Sequence, residues 1–245
     1  MEVVILAGGF GTRLSEYTRK IPKPMIYIKN LPILIRIINF YRSNGYNKFV
    51  IACGYKKEII YKFFKDQIIK KEDDYKYKNK NLHISFKREN YKIDLIDTGL
   101  KTLTGGRIKK ISKFIKGNNF FLTYGDGLSD VNLRRLFKIH IKYKSLITIT
   151  IVNPKSKYGR VILGKKNLIA KFEEKPLLKN EWINGGFMIC STKIFKFIKN
   201  SQSILENDVF ARILKKKKFY YYKHKGFWHC IDTVRDKTEI EKILK

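Results

Sequence analysis

Apolar runs typical of buried strands alternate with helical patterns over about the first 150 residues of this chain. Examples of the apolar runs are EVVILAG, NKFVIACG, NLHISFKR and NFFLTYGDG. Between such runs, apolar residues recur at helical spacing over 31–45, 56–70 and 131–145. Strands and helices that alternate at this spacing predict βαβ units. We therefore expect an α/β fold with a mostly parallel central sheet flanked by helices.

From about residue 148 onwards, the predicted strands follow one another more closely. The runs LITITIVN, GRVIL, IAKFEEKP, WINGGFMICS and KKFYYYKH are accompanied by one late helix over 206–217. This crowding predicts antiparallel additions to the sheet in the C-terminal half. We find no internal repeat and no low-complexity linker, so a single domain over 1–245 is expected.

Three local features complete the secondary-structure prediction. Asp130 is in position to cap the helix over 131–145. The lysine-rich, acid-interrupted stretch over 70–80 predicts a loop. Lysines 215–218 are expected at the solvated end of the late helix, where they complement its dipole.

The charge is strongly positive, with 53 Lys and Arg against 21 Asp and Glu and a net charge of +32. Such a balance can mark a nucleic-acid binder. Here the lysines are spread over the exposed faces of almost every predicted helix and do not form a dedicated basic arm. We therefore expect no specific nucleic-acid partner, only weak attraction to polyanions, nucleotides included.

The apolar segments also bear on location and redox state. No run approaches the roughly 20 residues of a membrane span, and MEVVIL is too short for a signal peptide. No membrane association is expected, and a cytoplasmic location is the simplest prediction. Cys53, Cys190 and Cys230 form no C-x-x-C pair, so we expect them to be buried and reduced.

A glycine-rich turn follows the first predicted strand. The stretch comprises Leu6, Ala7, Gly8, Gly9, Phe10, Gly11, Thr12 and Arg13. Glycines let backbone N–H groups approach an anion, and an arginine can bind phosphate oxygens with two hydrogen bonds. Lys23 stands between two prolines that restrict the backbone. The stretch fits neither G-x-x-x-x-G-K-[ST] nor G-x-G-x-x-G, so spacing alone leaves a plain βα turn with a surface lysine as the alternative.

Two aspartates are candidates for a metal site. Asp126 follows the apolar strand NFFL, where ligands of open α/β sheets collect, although an Asp-Gly pair can also be a simple turn. The second candidate is Asp232 in CIDTVRD. Local sequence does not bring the two together. Asp236 is expected at the start of a surface helix.

Several motifs together carry a family resemblance. In chain order they are GGFGTRL, PKPM, CGYKKEII, DTGLKTLTGGRIKK, FLTYGDGLSD, FEEKP, INGGFMI and GFWHCIDTVRDK. Over essentially the whole chain they resemble the sugar-1-phosphate nucleotidyltransferases, and especially those that transfer a cytidylyl group. The resemblance implies a Rossmann-like nucleotidyltransferase fold, with a nucleotide-binding part over about 1–130 and a sugar-phosphate-binding part over about 131–245.

The resemblance also implies a reaction and its setting. CTP and α-D-glucose 1-phosphate would give CDP-glucose and diphosphate, with Mg²⁺ as cofactor. It further implies a homo-oligomer and a place in deoxyhexose synthesis for surface polysaccharide such as O-antigen. The attacking oxygen would belong to the sugar phosphate. No general base is then needed, and the four histidines show no triad or metal-cage spacing.

Site residues follow from the same resemblance. The implied catalytic residues are Arg13, Lys23 and Asp126. Arg13 would neutralise the β- and γ-phosphates, and Lys23 would lie near the α-phosphate. The implied nucleotide-binding residues are Leu6, Ala7, Gly8, Gly9, Gly11, Thr12, Arg13, Lys23, Thr104, Arg107 and Gly125. The implied sugar-phosphate ligands are Glu174, Lys175, Asn184 and Gly186, and the implied Mg²⁺ ligands are Asp126 and Asp232.

The resemblance also bears on the choice of base, and the chain departs from the family pattern at two positions. Residues 104–107, TGGR, are expected to form a glycine loop whose carbonyls help to read cytosine. Phe10 replaces a smaller aliphatic residue and Cys230 replaces a proline, and neither is expected to touch a proposed contact. Three alternatives stay open: UTP, dTTP, GTP or another hexose phosphate as substrate, a non-catalytic regulatory module, and a nucleic-acid binder.

Overall fold

The computed structural model describes residues 1–71, 74–154, 156, 158–174, 176 and 181–244. The strands are β1 Val3–Ala7, β2 Tyr27–Ile28, β3 Leu31–Pro32, β4 Lys48–Cys53, β5 Asp74–Lys78, β6 Asn81–Phe86, β7 Tyr91–Asp97, β8 Asn119–Tyr124, β9 Gly127–Ser129, β10 Ile147–Val152, β11 Arg160–Leu163, β12 Ile169–Glu173, β13 Ile183–Ser191, β14 Phe219–His224 and β15 Trp228–Cys230. The α-helices are α1 Ser15–Thr18, α2 Ile33–Ser43, α3 Lys57–Lys71, α4 Thr104–Ile111, α5 Leu133–Lys142, α6 Ala211–Leu214 and α7 Val234–Ile243. Short 3-10 turns occur at Thr12–Leu14, Lys23–Met25, Ser112–Phe114 and Thr192–Phe197, and the π-helix Leu205–Phe210 leads into α6.

Nine strands form one sheet in the order β14-β10-β13-β8-β1-β4-β7-β6-β5. The four central strands β8, β1, β4 and β7 are parallel, and β14 is parallel to β10. β13 runs antiparallel between β8 and β10, and β11 with β12 forms a separate antiparallel hairpin. The predicted α/β fold with antiparallel strands in the C-terminal half is therefore confirmed.

Antiparallel pairing also occurs in the N-terminal half, where the sequence does not predict it. The structure has strand β5 within 70–80, so the prediction of a loop there is wrong for the described part of that stretch, which lacks 72–73. β5 joins β6 through Asn79 and Lys80, both at positive φ as in a type I′ hairpin turn. A two-residue link cannot form a parallel crossover, so the strands must run antiparallel.

Each face of the sheet packs against its own layer of helices. Along β1, Val3, Ile5 and Ala7 belong to one apolar cluster and Val4 and Leu6 to the other. The first cluster includes residues of α2, α3, α5 and α7, and the second includes residues of α4 and of the 205–214 segment. Because β1 is buried on both faces, its sequence is continuously apolar and not alternating.

The start of α5 differs from the prediction. Its N-cap is Asn132, whose side chain accepts a hydrogen bond from the Arg135 amide at 2.9 Å. Asp130 instead contacts the His224 ring at 2.9 Å. The proposed Asp130 cap is therefore wrong, since a cap must directly precede the first helical turn.

Within the part of the chain that the structure describes, no helix has the length and apolarity that a membrane span requires.

Candidate active site

The carboxyl ends of the parallel strands β1, β4, β7 and β8 meet at one edge of the sheet. The glycine turn leaves β1 there and passes into the 3-10 turn Thr12–Leu14. Gly11 has a left-handed backbone with φ of 66°, and a Cβ at this position would lie 2.9 Å from Thr18 Cγ2. The Thr18 hydroxyl donates to the Gly11 carbonyl at 3.1 Å and so fixes the turn from its far side.

Arg107 lies behind this turn and joins it to the neighbouring strand ends. Its guanidinium donates to the carbonyls of Gly8 at 2.8 Å, Gly99 at 2.9 Å and Cys53 at 3.2 Å, and to the Thr98 hydroxyl at 2.5 Å. The residue is only 4% exposed. Burial lowers the pKa of Arg107 below that of an ordinary arginine. These contacts make Arg107 a positioning residue for the turn.

Two glycines make room for this guanidinium. A Cβ at Gly8 or at Gly54 would overlap the Arg107 side chain. The first glycine of the turn is therefore needed for packing as well as for the approach of a ligand.

Residues 104–107 form the first turn of helix α4, so the predicted glycine loop is wrong. The Arg107 amide donates to the Leu103 carbonyl at 2.9 Å, as a helical amide does. A Cβ at Gly105 would lie 2.8 Å from the Ser203 carbonyl oxygen, and one at Gly106 would overlap Ser201. The glycines thus allow α4 to pack closely against the 201–205 segment.

Thr104, the other residue expected to contact the nucleotide in this region, has internal partners. Its hydroxyl donates to Glu206 at 3.0 Å and accepts from the Leu205 amide at 2.9 Å. Glu206 also accepts a hydrogen bond from the Tyr124 hydroxyl. Glu206 therefore links α4 to the end of β8. The sequence holds no signal for this role, because an acidic residue in a first helical turn is common for reasons of the helix dipole alone.

The two predicted cations and the two predicted carboxylates meet in one cluster. Lys23 Nζ lies 2.7 Å from Asp126 Oδ2 and 2.7 Å from Asp232 Oδ1. Arg13 Nη1 lies 2.6 Å from Asp232 Oδ2. The Lys23 side chain is 11% exposed and the Arg13 side chain 73%, so one cation is fixed in the protein and the other faces solvent.

Pairing of β9 with β15 brings the two aspartates together. Cys230 is opposite Gly127 in this antiparallel ladder, and the Ile231 amide donates to the Asp126 carbonyl at 3.0 Å. The Asp232 amide in turn donates to Asp236 Oδ2 at 2.9 Å. Asp236 belongs to a capping box at the start of α7, which confirms its predicted place and holds the backbone of Asp232.

Burial and neighbouring charges shift the pKa of Lys23 in opposite directions. Burial lowers the pKa of its ammonium group, but the carboxylates of Asp126 and Asp232 raise it more, so the pKa lies above the ordinary lysine value. Lys23 is therefore positively charged at neutral pH.

The donor set fits a divalent metal ion. One ligand atom each of Asp126, Cys230 and Asp232 lies within 4.8 Å of the other two. Mg²⁺ binds carboxylate oxygens, and water and phosphate oxygens commonly complete its coordination shell. The expectation that Cys230 is remote from the proposed contacts is wrong, because the β15 register places its thiol beside both carboxylates. Cys230 is also partly exposed, whereas Cys53 and Cys190 are buried as predicted.

The residues predicted to bind the sugar phosphate are spread over β13 and the end of the β11–β12 hairpin. Asn184 Oδ1 accepts from the Gly186 amide at 2.9 Å, and Gly186 has a φ of 81° close to the Tyr124 ring. Glu174 is exposed directly after β12. Lys175 lies outside the described residues. The structure thus brings Asn184 and Gly186 to the end of β8, beside Tyr124.

Comparisons with known proteins show the family to which the chain is similar. The nucleotidyl transferase family model matches residues 2–244. Glucose-1-phosphate cytidylyltransferase of Salmonella typhimurium is 34% identical over 244 residues, which is 98% of this chain and 95% of that protein. The probable glucose-1-phosphate cytidylyltransferase of Bacillus subtilis is 34% identical over 253 aligned residues, covering 99% of this chain and 96% of its own.

A solved structure supports the same relationship. HddC from Yersinia pseudotuberculosis has a TM-score of 0.72 and 25% identity, with 100% of this chain and 99% of that chain covered. HddC has also been crystallised with GMP-PN. The range matched by the family model, residues 2–244, spans almost the whole chain, and by these similarities the chain belongs to the nucleotidyl transferase family.

Proposed function

We propose that this protein transfers a cytidylyl group from CTP to α-D-glucose 1-phosphate, giving CDP-glucose and diphosphate. One observation carries the proposal: Arg13, Lys23, Asp126 and Asp232, which are distant in sequence, form a single cluster at the end of β1 and β8. The Salmonella typhimurium and Bacillus subtilis relatives, which share a third of their residues with the chain, support the choice of substrates.

The reaction joins two phosphates that repel each other. An oxygen of the sugar phosphate attacks the α-phosphorus of CTP in line, the bond between the α-phosphorus and the bridging oxygen breaks, and diphosphate leaves with the electron pair. The nucleophile is already an anion, so no proton must be removed. The barrier is therefore lowered by positioning and by fixed positive charge.

The two cations are suited to different tasks. Lys23 is buried and held by two carboxylates, so its ammonium group is pre-organised beside the position proposed for the α-phosphate. Arg13 is exposed and can follow the β- and γ-phosphates as diphosphate departs. The backbone of the glycine turn, fixed from behind by Arg107 and Thr18, offers amides to the same phosphates.

We propose Mg²⁺ as the cofactor, with Asp126 and Asp232 as the residues that would hold it. When bound, the ion supplies positive charge that offsets charge on the phosphates. Lys23 contacts the same two carboxylates and orients them.

On the sugar side, we propose that the Glu174 carboxylate accepts hydrogen bonds from glucose hydroxyls and that the Asn184 amide donates to them. We also propose that Gly186 allows the sugar to approach closely. In support of this role, Asn184 belongs to β13, which pairs with β8. Arg235 in α7 donates a hydrogen bond to Glu239 at 2.8 Å, which is the largest cause of its raised pKa, and the negative charge of Glu174 adds to the same shift. Glu174 is thus close to the helix that follows Asp232.

Recognition of the base involves the surroundings of the glycine turn. Arg107 and Thr104 have internal partners, so we propose that they shape the nucleotide pocket and that backbone groups near the turn contact the base. GTP is the alternative nucleotide, favoured by the guanine nucleotide in the HddC complex.

We also propose that the product serves deoxyhexose synthesis for surface polysaccharide.

A nucleotide scan tests the proposal. CTP, UTP, dTTP and GTP are each incubated with glucose 1-phosphate and Mg²⁺, and diphosphate release and the nucleotide sugar are measured. We expect turnover with CTP at a rate at least about tenfold above the others. Turnover with GTP but not with CTP would replace the cytidylyl proposal with the guanylyl one. Absence of turnover with all four would reject the sugar substrate.

A further inference from the structure

The pair of carboxylates has a third neighbour of a different chemical kind. The Cys230 sulfur and one oxygen each of Asp126 and Asp232 lie within 4.8 Å of one another. Donors about 2.0 to 2.5 Å from one ion are separated by distances of this order. Cys230 is also the partly exposed cysteine of the described residues, whereas Cys53 and Cys190 are fully buried.

The fold holds this thiol in place. Cys230 is the last residue of β15 and is paired with Gly127, the residue after Asp126. Asp232 follows two residues after Cys230, and one ligand atom of each lies within 4.8 Å of the other. The hydrogen bond from the Ile231 amide to the Asp126 carbonyl fixes the register between the three donors.

Sulfur changes which ions such a centre prefers. Mg²⁺ binds oxygen donors and gains little from sulfur, whereas thiolates select softer ions such as Zn²⁺ and Cd²⁺. We infer that Cys230 makes this centre a mixed oxygen–sulfur site that binds thiophilic divalent cations more tightly than Mg²⁺. The inference rests on the proposed function in one respect, namely that Asp126 and Asp232 hold the metal.

Two cations also take part in the balance, and one of them is Arg13, whose Nη1 lies 2.6 Å from Asp232 Oδ2. The Lys23 ammonium contacts both carboxylates at 2.7 Å, so any divalent ion must share them with Lys23. Cys230 coordinates as the thiolate, and its proton is released to solvent as the ion binds. A softer ion can coordinate the sulfur in addition to the shared oxygens, whereas Mg²⁺ would coordinate only the oxygens.

Binding of Cd²⁺ alone to the full chain, without nucleotide, tests the inference. Ultraviolet absorption reports sulfur-to-cadmium charge transfer, and calorimetry reports affinity and stoichiometry. We expect one Cd²⁺ per chain with a charge-transfer band. In Cys230→Ala and Cys230→Ser the band should be lost and Cd²⁺ affinity should fall by about tenfold or more, with Mg²⁺ affinity changed by less than about threefold.

Two further variants make the result decisive. Cys190→Ala removes a buried thiol remote from the carboxylates and should keep both the band and the affinity. Asp126→Asn should weaken binding of both ions. If both Cys230 variants retain the band or the wild-type Cd²⁺ affinity while Asp126→Asn weakens binding, the sulfur donor is rejected and the carboxylate centre stands. If Asp126→Asn changes neither ion, the carboxylate centre itself is rejected. Circular dichroism of each variant verifies folding, and the serine variant serves if the alanine variant is unstable.

Discussion

Residues proposed for the site lie both at the sheet edge that carries the glycine turn and directly after the β11–β12 hairpin, yet these two regions are built differently. At the sheet edge, Lys23 and Arg107 are both buried, and both have several polar partners. On the hairpin, Leu163 is 81% exposed and Phe172 is 61% exposed. All residues of β11 and all but the last of β12 are exposed.

This difference has an energetic origin. A buried polar group without a partner costs about 1–3 kcal/mol, so the groups at the sheet edge are held to one arrangement by the fold. A two-stranded hairpin that packs neither face on a core is marginal by itself. We therefore expect folding of the central sheet and its helices to fix the positions of the residues proposed to contact the phosphates. The position of Glu174 should depend more on the bound sugar.

The largest effect should come from the carboxylate cluster. Asp126→Asn removes a charged partner of Lys23 and a metal ligand, so turnover should fall about 100- to 1,000-fold, equivalent to roughly 3–4 kcal/mol of barrier. Diphosphate release from CTP and glucose 1-phosphate measures this. Asp130→Asn, at an exposed aspartate nearby in the chain, should retain near wild-type turnover. A loss of less than tenfold in Asp126→Asn would remove the central role given to this cluster.

Replacement of Arg107 at the sheet edge should lower the free energy of unfolding much more than replacement of an arginine on the hairpin. Arg107→Met removes the hydrogen bonds that the buried guanidinium donates to the carbonyls of Gly8, Cys53 and Gly99, and we expect a loss of about 3 kcal/mol in the free energy of unfolding. Arg160→Met on the hairpin is the matched control, and its loss should stay within about 0.5 kcal/mol. Urea unfolding compares them, and equal losses would contradict the proposed contrast.

Burial in the main body also predicts a pH dependence. Burial lowers the pKa of His140 from 6.5 to about 4, and its ring contacts Thr148 and Asn119 at 3.1 Å. As the pH falls from 6.5 to 4, the unfolded chain takes up a proton that the folded chain does not, so stability falls by about 3 kcal/mol. Unfolding free energies across this range should show the loss in wild type and a shallower slope in His140→Gln. Identical slopes would exclude His140 as the cause.

The smallest effect is expected on the hairpin itself. Leu163→Ala should change the free energy of unfolding by no more than about 0.5 kcal/mol, because the side chain is already exposed. Leu122→Ala in β8 makes the same chemical change at a fully buried site and should cost about 2–5 kcal/mol. A loss above 1 kcal/mol in Leu163→Ala, measured by chemical unfolding, would show that the hairpin is packed in solution.

Much of the fold was predictable because its signals are local. The apolar run of β1 and the stripe of α2 are patterns within one element, and both lie where periodicity places them. β5 was missed because Asp74–Lys78 is polar and exposed, and only its turn and partner make it a strand. Residues 104–107 were predicted to be a loop because two glycines weaken a helix, whereas here they permit close packing against Ser201 and Ser203.

The site residues divide in the same way. The glycine turn, Arg13, Lys23 and Asp126 stand out locally, and the nucleotide and sugar roles given to individual residues stay predictions. Glu206 and the position of Cys230 beside the carboxylates have no local signal. The homo-oligomer, the cytoplasmic location and the division of the chain near residue 130 likewise remain predictions.

By itself the sequence determined a mostly parallel α/β sheet with a glycine-rich turn at the end of its first strand, because periodicity and glycine placement act over a few residues. Only the tertiary structure decided that Asp232 meets Lys23 across 209 positions of chain, and that Cys230 comes with it. Those contacts follow from the register of β9 with β15 and from the assembly of the whole sheet. Local patterns specify neither, since the choice of strand partner depends on the packing of all the layers together.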